Sequence, residues 1–142
     1  MDKIELRKVA EKDWDFILNL RNEFYIDSFY EQKKPIEKMD HYKYMNKQIT
    51  NPNFHQWVAI ESKNGFYVGY IRILDYDINI MVDKKFQNKG VGTIMLKLVE
   101  EKAKNLGLKK LEARVLSKNK ISLKLFEKNN FKMKMNLLEK EL

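Results

Sequence analysis

The sequence predicts an α/β fold, with a sheet that is antiparallel in its first half and holds a strand-helix-strand crossover in its second. Three observations lead there. Between Phe54 and Val82 three successive runs alternate with period two, which reads as neighbouring strands joined by short turns. From Gly90 to Leu106 the apolar residues switch to helical spacing, and from Leu108 to Leu116 they return to alternation. Only Pro35, Pro52 and five glycines punctuate the 142 residues, with no repeat, linker or low-complexity run, so residues 1–142 read as one domain.

Taken in order, Ile4, Leu6 and Val9 alternate nearly in phase and predict a first strand over residues 3–9. Asp13 suits a cap before a helix whose apolar side carries Trp14, Phe16, Ile17, Leu20 and Phe24. Residues 25–34 are aromatic and polar without a clean period. Pro35 fits a first helical turn, and Ile36, Met39, Tyr42 or Lys43, Met45 and Ile49 continue at helical spacing until Asn51-Pro52-Asn53 ends the helix. Gln56–Ile60 and Phe66–Leu74 flank the turn Ser62-Lys63-Asn64-Gly65 as a hairpin. The run 75–82 puts Ile78, Ile80 and Val82 on one face and Asp77, Asn79 and Met81 on the other. The long helix buries Val91, Ile94, Met95, Leu98, Val99 and Ala103 and stops at Gly107. Residues 108–116 read as a strand, 119–128 as a helix and 131–142 as mostly extended chain.

Composition narrows the chemistry. No cysteine is present, which excludes disulfides, thiolate metal sites and a cysteine nucleophile; His41 and His55 are the only imidazoles, and no metal is expected. No apolar stretch approaches the roughly 20 residues that span a bilayer, and the N-terminal MDKIELRKVAEKD shows no apolar signal region, so the expected location is cytoplasmic, away from membrane. The net charge of +8 is uneven. Residues 1–82 hold 12 basic and 13 acidic side chains, whereas 83–142 hold 16 and 7. A polyanion meeting the second half is one reading; lysine-solvated helices are the other. No nucleic-acid recognition motif accompanies the lysines, so no nucleic-acid partner is expected.

The junction Gln87-Asn88-Lys89-Gly90-Val91-Gly92 is the sharpest feature. A strand leads into glycines that permit a tight turn, and the turn opens into a helix whose first amides suit phosphate oxygens, with Lys89 as a mobile charge. It is neither a P-loop nor the dinucleotide fingerprint. On its own it is also compatible with an ordinary turn.

In context, Gln87 to Gly92 resembles the Gln/Arg-x-x-Gly-x-Gly/Ala motif of the GNAT family of N-acetyltransferases, following Ile78-Asn79-Ile80-Met81-Val82-Asp83, which is similar to that family's fourth strand. Downstream, residues 119–131 (NKISLKLFEKNNF) are similar to the family's Asn-x-x-Ala-x-x-x-Tyr-Glu-Lys-x-Gly-Phe segment, and Leu138–Leu142 to its final strand. The resemblance is good over residues 75–142 and compatible in element order before them. It implies a GNAT fold, α/β (α+β), with a mixed sheet of about six to seven strands, about four flanking helices, and fourth and fifth strands that splay apart.

The same resemblance implies acetyl-CoA as cofactor. Its phosphates would meet Gln87, Asn88, Lys89, Gly90, Val91, Gly92 and Thr93, and its pantetheine arm would pair with main chain around Met81 and Val82, where an amide faces the thioester oxygen. Asn119 either caps its helix or holds the pantetheine end, or does both, with Ser122 beside it. Phe126 stands where many relatives carry a tyrosine acid; it cannot give a proton and is expected to pack on the thioester end. Asp77 is the expected base, direct or through water, if burial favours its protonation; a solvated strand-end acid is the alternative. The implied reaction is direct attack by a primary amine of a small molecule. An amino sugar or sugar nucleotide is the first expectation, from a thin likeness around Leu20-Arg21-Asn22, His41 and Phe54–Trp57. Arg21, Tyr25, His41, Asp75 and Asn79 are the acceptor-side candidates, with Phe29 and Tyr30 as further wall. A catalytically weak CoA-binding module and transfer to a peptide N-terminus remain alternatives. The short stretch after Phe131 leaves one side of the site open or completed by a second subunit, so a homodimer is a further expectation.

Overall fold

The alternating runs become four strands in one antiparallel sheet, ordered β1 (Ile4–Lys8), β2 (Phe54–Glu61), β3 (Phe66–Leu74) and β4 (Asp77–Val82). Helices α1 (Trp14–Ser28) and α2 (Lys38–Ile49) lie between β1 and β2 in sequence, and α3 (Val91–Asn105) and α4 (Lys120–Lys128) follow β4. This is a computed structural model, and it describes residues 3–28 and 32–142; the expected wall residues Phe29 and Tyr30 fall outside them.

Period two sorts the strands into two faces. The register pairs Gln56 with Arg72, Val58 with Tyr70, Arg72 with Asn79, Tyr70 with Met81 and Leu74 with Asp77, so these residues share one face. On it, Trp14, Ile17 and Leu20 of α1 and Met45 of α2 pack against Val58, Tyr70 and Met81. The opposite face carries Trp57, Ile71, Ile73 and Ile78, covered by Val91, Met95, Leu96, Val99 and Ala103 of α3 and Phe126 of α4. Burying each such aliphatic side chain contributes about 1.5–3 kcal/mol. A bulge between Ala59 and Ile60 shifts the β2–β3 register. The hairpin turn is held by Glu61, whose carboxylate accepts the amides of Lys63 and Asn64, each at 3.0 Å.

Asp13 acts one turn earlier than a cap of α1. Buried, it accepts from the Ala10 amide at 2.7 Å, from both Arg7 nitrogens and from the Tyr67 hydroxyl, closing the 3-10 turn Glu11–Asp13 and tying it to β1 and β3. Burial pushes its carboxyl up, but the bonds from Arg7, Ala10 and Tyr67 outweigh that and hold it below its ordinary value.

Among the described residues the sheet has four strands, which corrects the expectation of six to seven; the expected four helices are present. Residues 108–116 place Leu108, Leu111, Ala113 and Val115 against the core, which explains their alternation. Their main chain, however, meets β4 at a single parallel bridge, Asp77–Glu112. The Ile78 amide donates to the Glu112 carbonyl and the Glu112 amide to the Tyr76 carbonyl, each at 2.8 Å. No further ladder bond follows among the described residues, so the chain diverges from β4. Residues 132–142 are exposed and belong to no helix or strand, with no main-chain partner among the described residues. Alternation reports where side chains go; a strand also needs a paired backbone.

Smaller departures have similar causes. α2 begins at Lys38 after Glu37, leaving Pro35 outside, and buries His41 and Met45 while Met39 and Ile49 face solvent. In α3 Leu96 is buried and Ile94 is exposed, one helical step round from the expected stripe.

Candidate active site

The strand-to-helix junction forms as the glycines suggest, but the two glycines do different work. Gly90 precedes α3 with φ +77°, a left-handed conformation open to solvent, and Asn88 is also left-handed at φ +61°. Gly92 is a packing glycine: a Cβ there would stand 3.1 Å from Leu125 Cδ2, so its absence brings α4 against the start of α3. The first bond across the helix start runs from the Ile94 amide to the Gly90 carbonyl, at 3.2 Å. The amides of Val91, Gly92 and Thr93 come before it, and no side chain caps this end. Three aligned donors at the positive end of a 15-residue helix make an oxyanion cradle. Lys89 sits beside it with its ammonium 5.8 Å from the Phe86 ring centroid.

Gln87 turns back to β4, its Nε2 donating to the Val82 carbonyl at 3.0 Å. Beyond the Asp77–Glu112 bridge, and apart from the Gln87 side chain on the Val82 carbonyl, no main-chain bond reaches the outer edge of β4 among the described residues. Main-chain direction alternates along a strand, so the Ile78 amide pointing to Glu112 puts the amides of Ile80 and Val82 on the same open edge. The same alternation commits the Met81 main chain to Tyr70 across the ladder, with its side chain under α1. An acyl carrier lying in the gap would therefore meet Ile80 and Val82 rather than the Met81 amide.

Asn119 caps α4, its Oδ1 accepting the Ser122 amide at 3.2 Å. Phe126 is 6% exposed and meets Phe131 edge-on at 5.0 Å, inside the core rather than on an open wall.

On the face expected to meet the acceptor, Asp77 is held from β3. Arg72 donates at 3.0 Å both to Asp77 Oδ2 and to the Asp77 carbonyl, while Asp77 Oδ1 is buried with no partner. Arg72 was not singled out by the sequence; a lone charge inside the apolar β3 run was the available signal. Tyr70, on the same face, donates its hydroxyl to Gln56 Oε1 at 2.8 Å, and burial pushes its phenol well above the ordinary range. Arg21 of α1 lies over the Tyr44 ring, 5.0 Å from its centroid, and contacts His41 Nδ1 at 3.2 Å. His41 is fully buried, with Nε2 2.9 Å from the Trp14 carbonyl. A carbonyl only accepts, so Nε2 carries the proton and Nδ1 accepts from Arg21. Burial, with the Arg21 charge adding to it, holds the His41 imidazole below its usual value despite the bond to Trp14.

Asn79 shares the face of Arg72 and Asp77, and Tyr25 is half-buried on α1. Asp75 is set apart: it is exposed in the β3–β4 turn at φ +57°. A shallow cavity of about 350 Å³ opens between Lys38, Met39, Tyr42, Lys43 and Asn46 on the outer side of α2; it includes neither the uncapped amides nor Asp77.

The chain belongs to the acetyltransferase (GNAT) family, whose model matches residues 14–131. The uncapped start of α3 is a donor set that fits phosphate oxygens. An uncharacterized protein of Methanocaldococcus jannaschii is 30% identical over 139 residues, covering 92% of this chain and 28% of that protein. Bacillus subtilis YwnH, provisionally named a phosphinothricin acetyltransferase, is 36% identical over 81 residues, covering 57% of this chain and 48% of YwnH. The chain thus spans less than half the length of either relative. Spermidine N-acetyltransferase from Vibrio cholerae, solved with CoA and spermine, superposes with a TM-score of 0.83 at 22% identity, covering 98% of this chain and 86% of that one, a likeness of fold. No helix among the described residues is long and apolar enough to cross a membrane.

Proposed function

We propose that this chain transfers the acetyl group of acetyl-CoA to a primary amine of a small molecule by direct attack in a ternary complex. The observation that carries this is one juxtaposition: three uncapped amides open α3, and the outer edge of β4 lies open just before them in the chain. Acetyl-CoA supplies the activated acyl group. The amides of Val91, Gly92 and Thr93 hold its phosphates. The Ile80 and Val82 amides are free to donate to the arm and to the thioester oxygen. Asp77 Oδ1, buried and unpartnered, is the group available to take the ammonium proton, with Arg72 fixing the carboxylate's orientation.

The names of YwnH and of the Vibrio enzyme support small amines as acceptors; an amino sugar or sugar nucleotide stays within that class. The test is CoA release from acetyl-CoA over a panel of primary amines. Turnover supports the proposal. Tight CoA binding with no release from any amine points to a CoA-binding regulatory module, a reading that the buried Phe126, with no hydroxyl to offer a thiolate, favours.

A homodimer completes the proposal. Residues 132–142 present Met133, Met135 and Leu137 in alternation, Met135 at 83% and Leu138 at 90% exposure, on unpaired main chain. Residues 113–115 present a second stretch with no main-chain partner among the described residues. Two copies exchanging these segments would satisfy both.

A further inference from the structure

The acceptor side carries more positive charge than its own carboxylate balances. Arg72 is paired with Asp77. Arg21 has no carboxylate within ion-pair distance among the described residues; its neighbours are the Tyr44 ring, the neutral His41 and, as a repelling charge, Arg72. A guanidinium withdrawn from water without an anion costs free energy, and it has five donors of which His41 uses one. The arrangement is also held in place. Tyr44 stacks below the guanidinium, His41 is locked by the Trp14 carbonyl, and Tyr70 is turned away to Gln56. What remains is a fixed planar donor with room for one oxyanion, on the face where Asp77 keeps one oxygen free.

We propose that Arg21 binds an oxyanion of the acceptor, so that the amines this chain prefers carry a negatively charged group, carboxylate or phosphate, and polycationic amines are disfavoured. This rests on the acetyltransferase reading above. Asp77 faces the amine and Arg21 the anion, which selects a molecule with both charges. A polyamine would bring only positive charge to a region that already holds Arg21 and Arg72.

The experiment compares matched amines on wild type, Arg21→Gln and Arg21→Lys. A carboxylate arm pairs an α-amino acid with its amide, a phosphate arm pairs an amino-sugar phosphate with the free amino sugar, and spermidine is the polycation. Affinity of each for the CoA-loaded protein is measured by calorimetry beside kcat and KM. The proposal expects the anionic member of at least one pair to be favoured roughly 10- to 100-fold, the range of a charge-assisted hydrogen bond. It expects the preference in KM rather than kcat, collapsing in Arg21→Gln and partly restored in Arg21→Lys; the arm that responds identifies the oxyanion. Equal use of both members of every pair, a preference for spermidine, or an Arg21→Gln defect equal on all amines overturns it. Absence of turnover on every amine overturns the acetyltransferase reading instead, and the affinities still decide whether Arg21 selects an anion. Unchanged CoA affinity and melting in Arg21→Gln separate a lost contact from a damaged fold.

Discussion

Arg72 reaches from β3 to Asp77 at the start of β4 and engages one carboxylate oxygen at 3.0 Å, leaving the other buried and unpartnered. The pair fixes the carboxylate and leaves one oxygen able to accept a proton. If Oδ1 takes the amine's proton, Asp77→Asn should lower kcat/KM by about 100-fold, within the usual range for a lost general base. The loss should be largest at low pH, where the amine is protonated in solution, and should shrink as pH rises. The profile of kcat/KM for both proteins between about pH 6 and 9 reads this. A constant ratio removes Asp77 from proton transfer.

His41 makes the fold acid-sensitive. Its folded-state proton affinity is lowered by burial, so the stability linked to its neutral form is complete above the ordinary histidine value of about 6.5 and is lost as pH falls below it. Unfolding free energies from urea titration should drop between about pH 7 and 5, by up to about 1.4 kcal/mol per pH unit, and His41→Gln should flatten that slope. Asp13, also lowered, acts in the same direction but below about pH 4, outside this window. An unaltered slope in the variant assigns the sensitivity elsewhere.

Gly69 is a stability position. A Cβ there would lie 2.6 Å from the Met81 carbonyl oxygen and 3.0 Å from Met95 Sδ, so β3 passes β4 and α3 too closely for alanine. Gly69→Ala should cost about 1–3 kcal/mol, the usual range for overpacking. Chemical denaturation checks it; a neutral outcome would mean that β4 yields.

Residues 132–142 should hold two copies together. Light scattering is expected to give twice the chain mass for wild type, and Met135→Glu with Leu137→Glu a monomer with unchanged CoA affinity. A wild-type monomer at micromolar concentration contradicts the exchange.

Legibility in the sequence followed side-chain periodicity. The hairpin, the two faces of β4 and the junction into α3 could be read because each is a local pattern: alternation, a turn cluster, glycines before a helix. Arg72 could not, since its partner Asp77 meets it only across a ladder. His41 was read as a side chain lining the acceptor cleft, yet it is fully buried, bonded to the Trp14 carbonyl and to Arg21 from α1. Which amides near Met81 and Val82 face outward could not be read either, because that is set by the bond from Ile78 to Glu112, a fact of pairing rather than of composition. Residues 108–116 and 131–142 read as strands because their side chains alternate; apart from the Asp77–Glu112 bridge, their backbones join no ladder among the described residues.

The central claim is that the uncapped amides opening α3 grip the phosphates of acetyl-CoA. Gly90 tests it most directly, because a Cβ there meets nothing within 4 Å and its left-handed backbone accepts asparagine and aspartate alike. Calorimetric titration of CoA should give near wild-type affinity for Gly90→Asn and at least about tenfold weaker binding for Gly90→Asp, whose carboxylate opposes the phosphates. Equal affinity in the two variants would contradict the account.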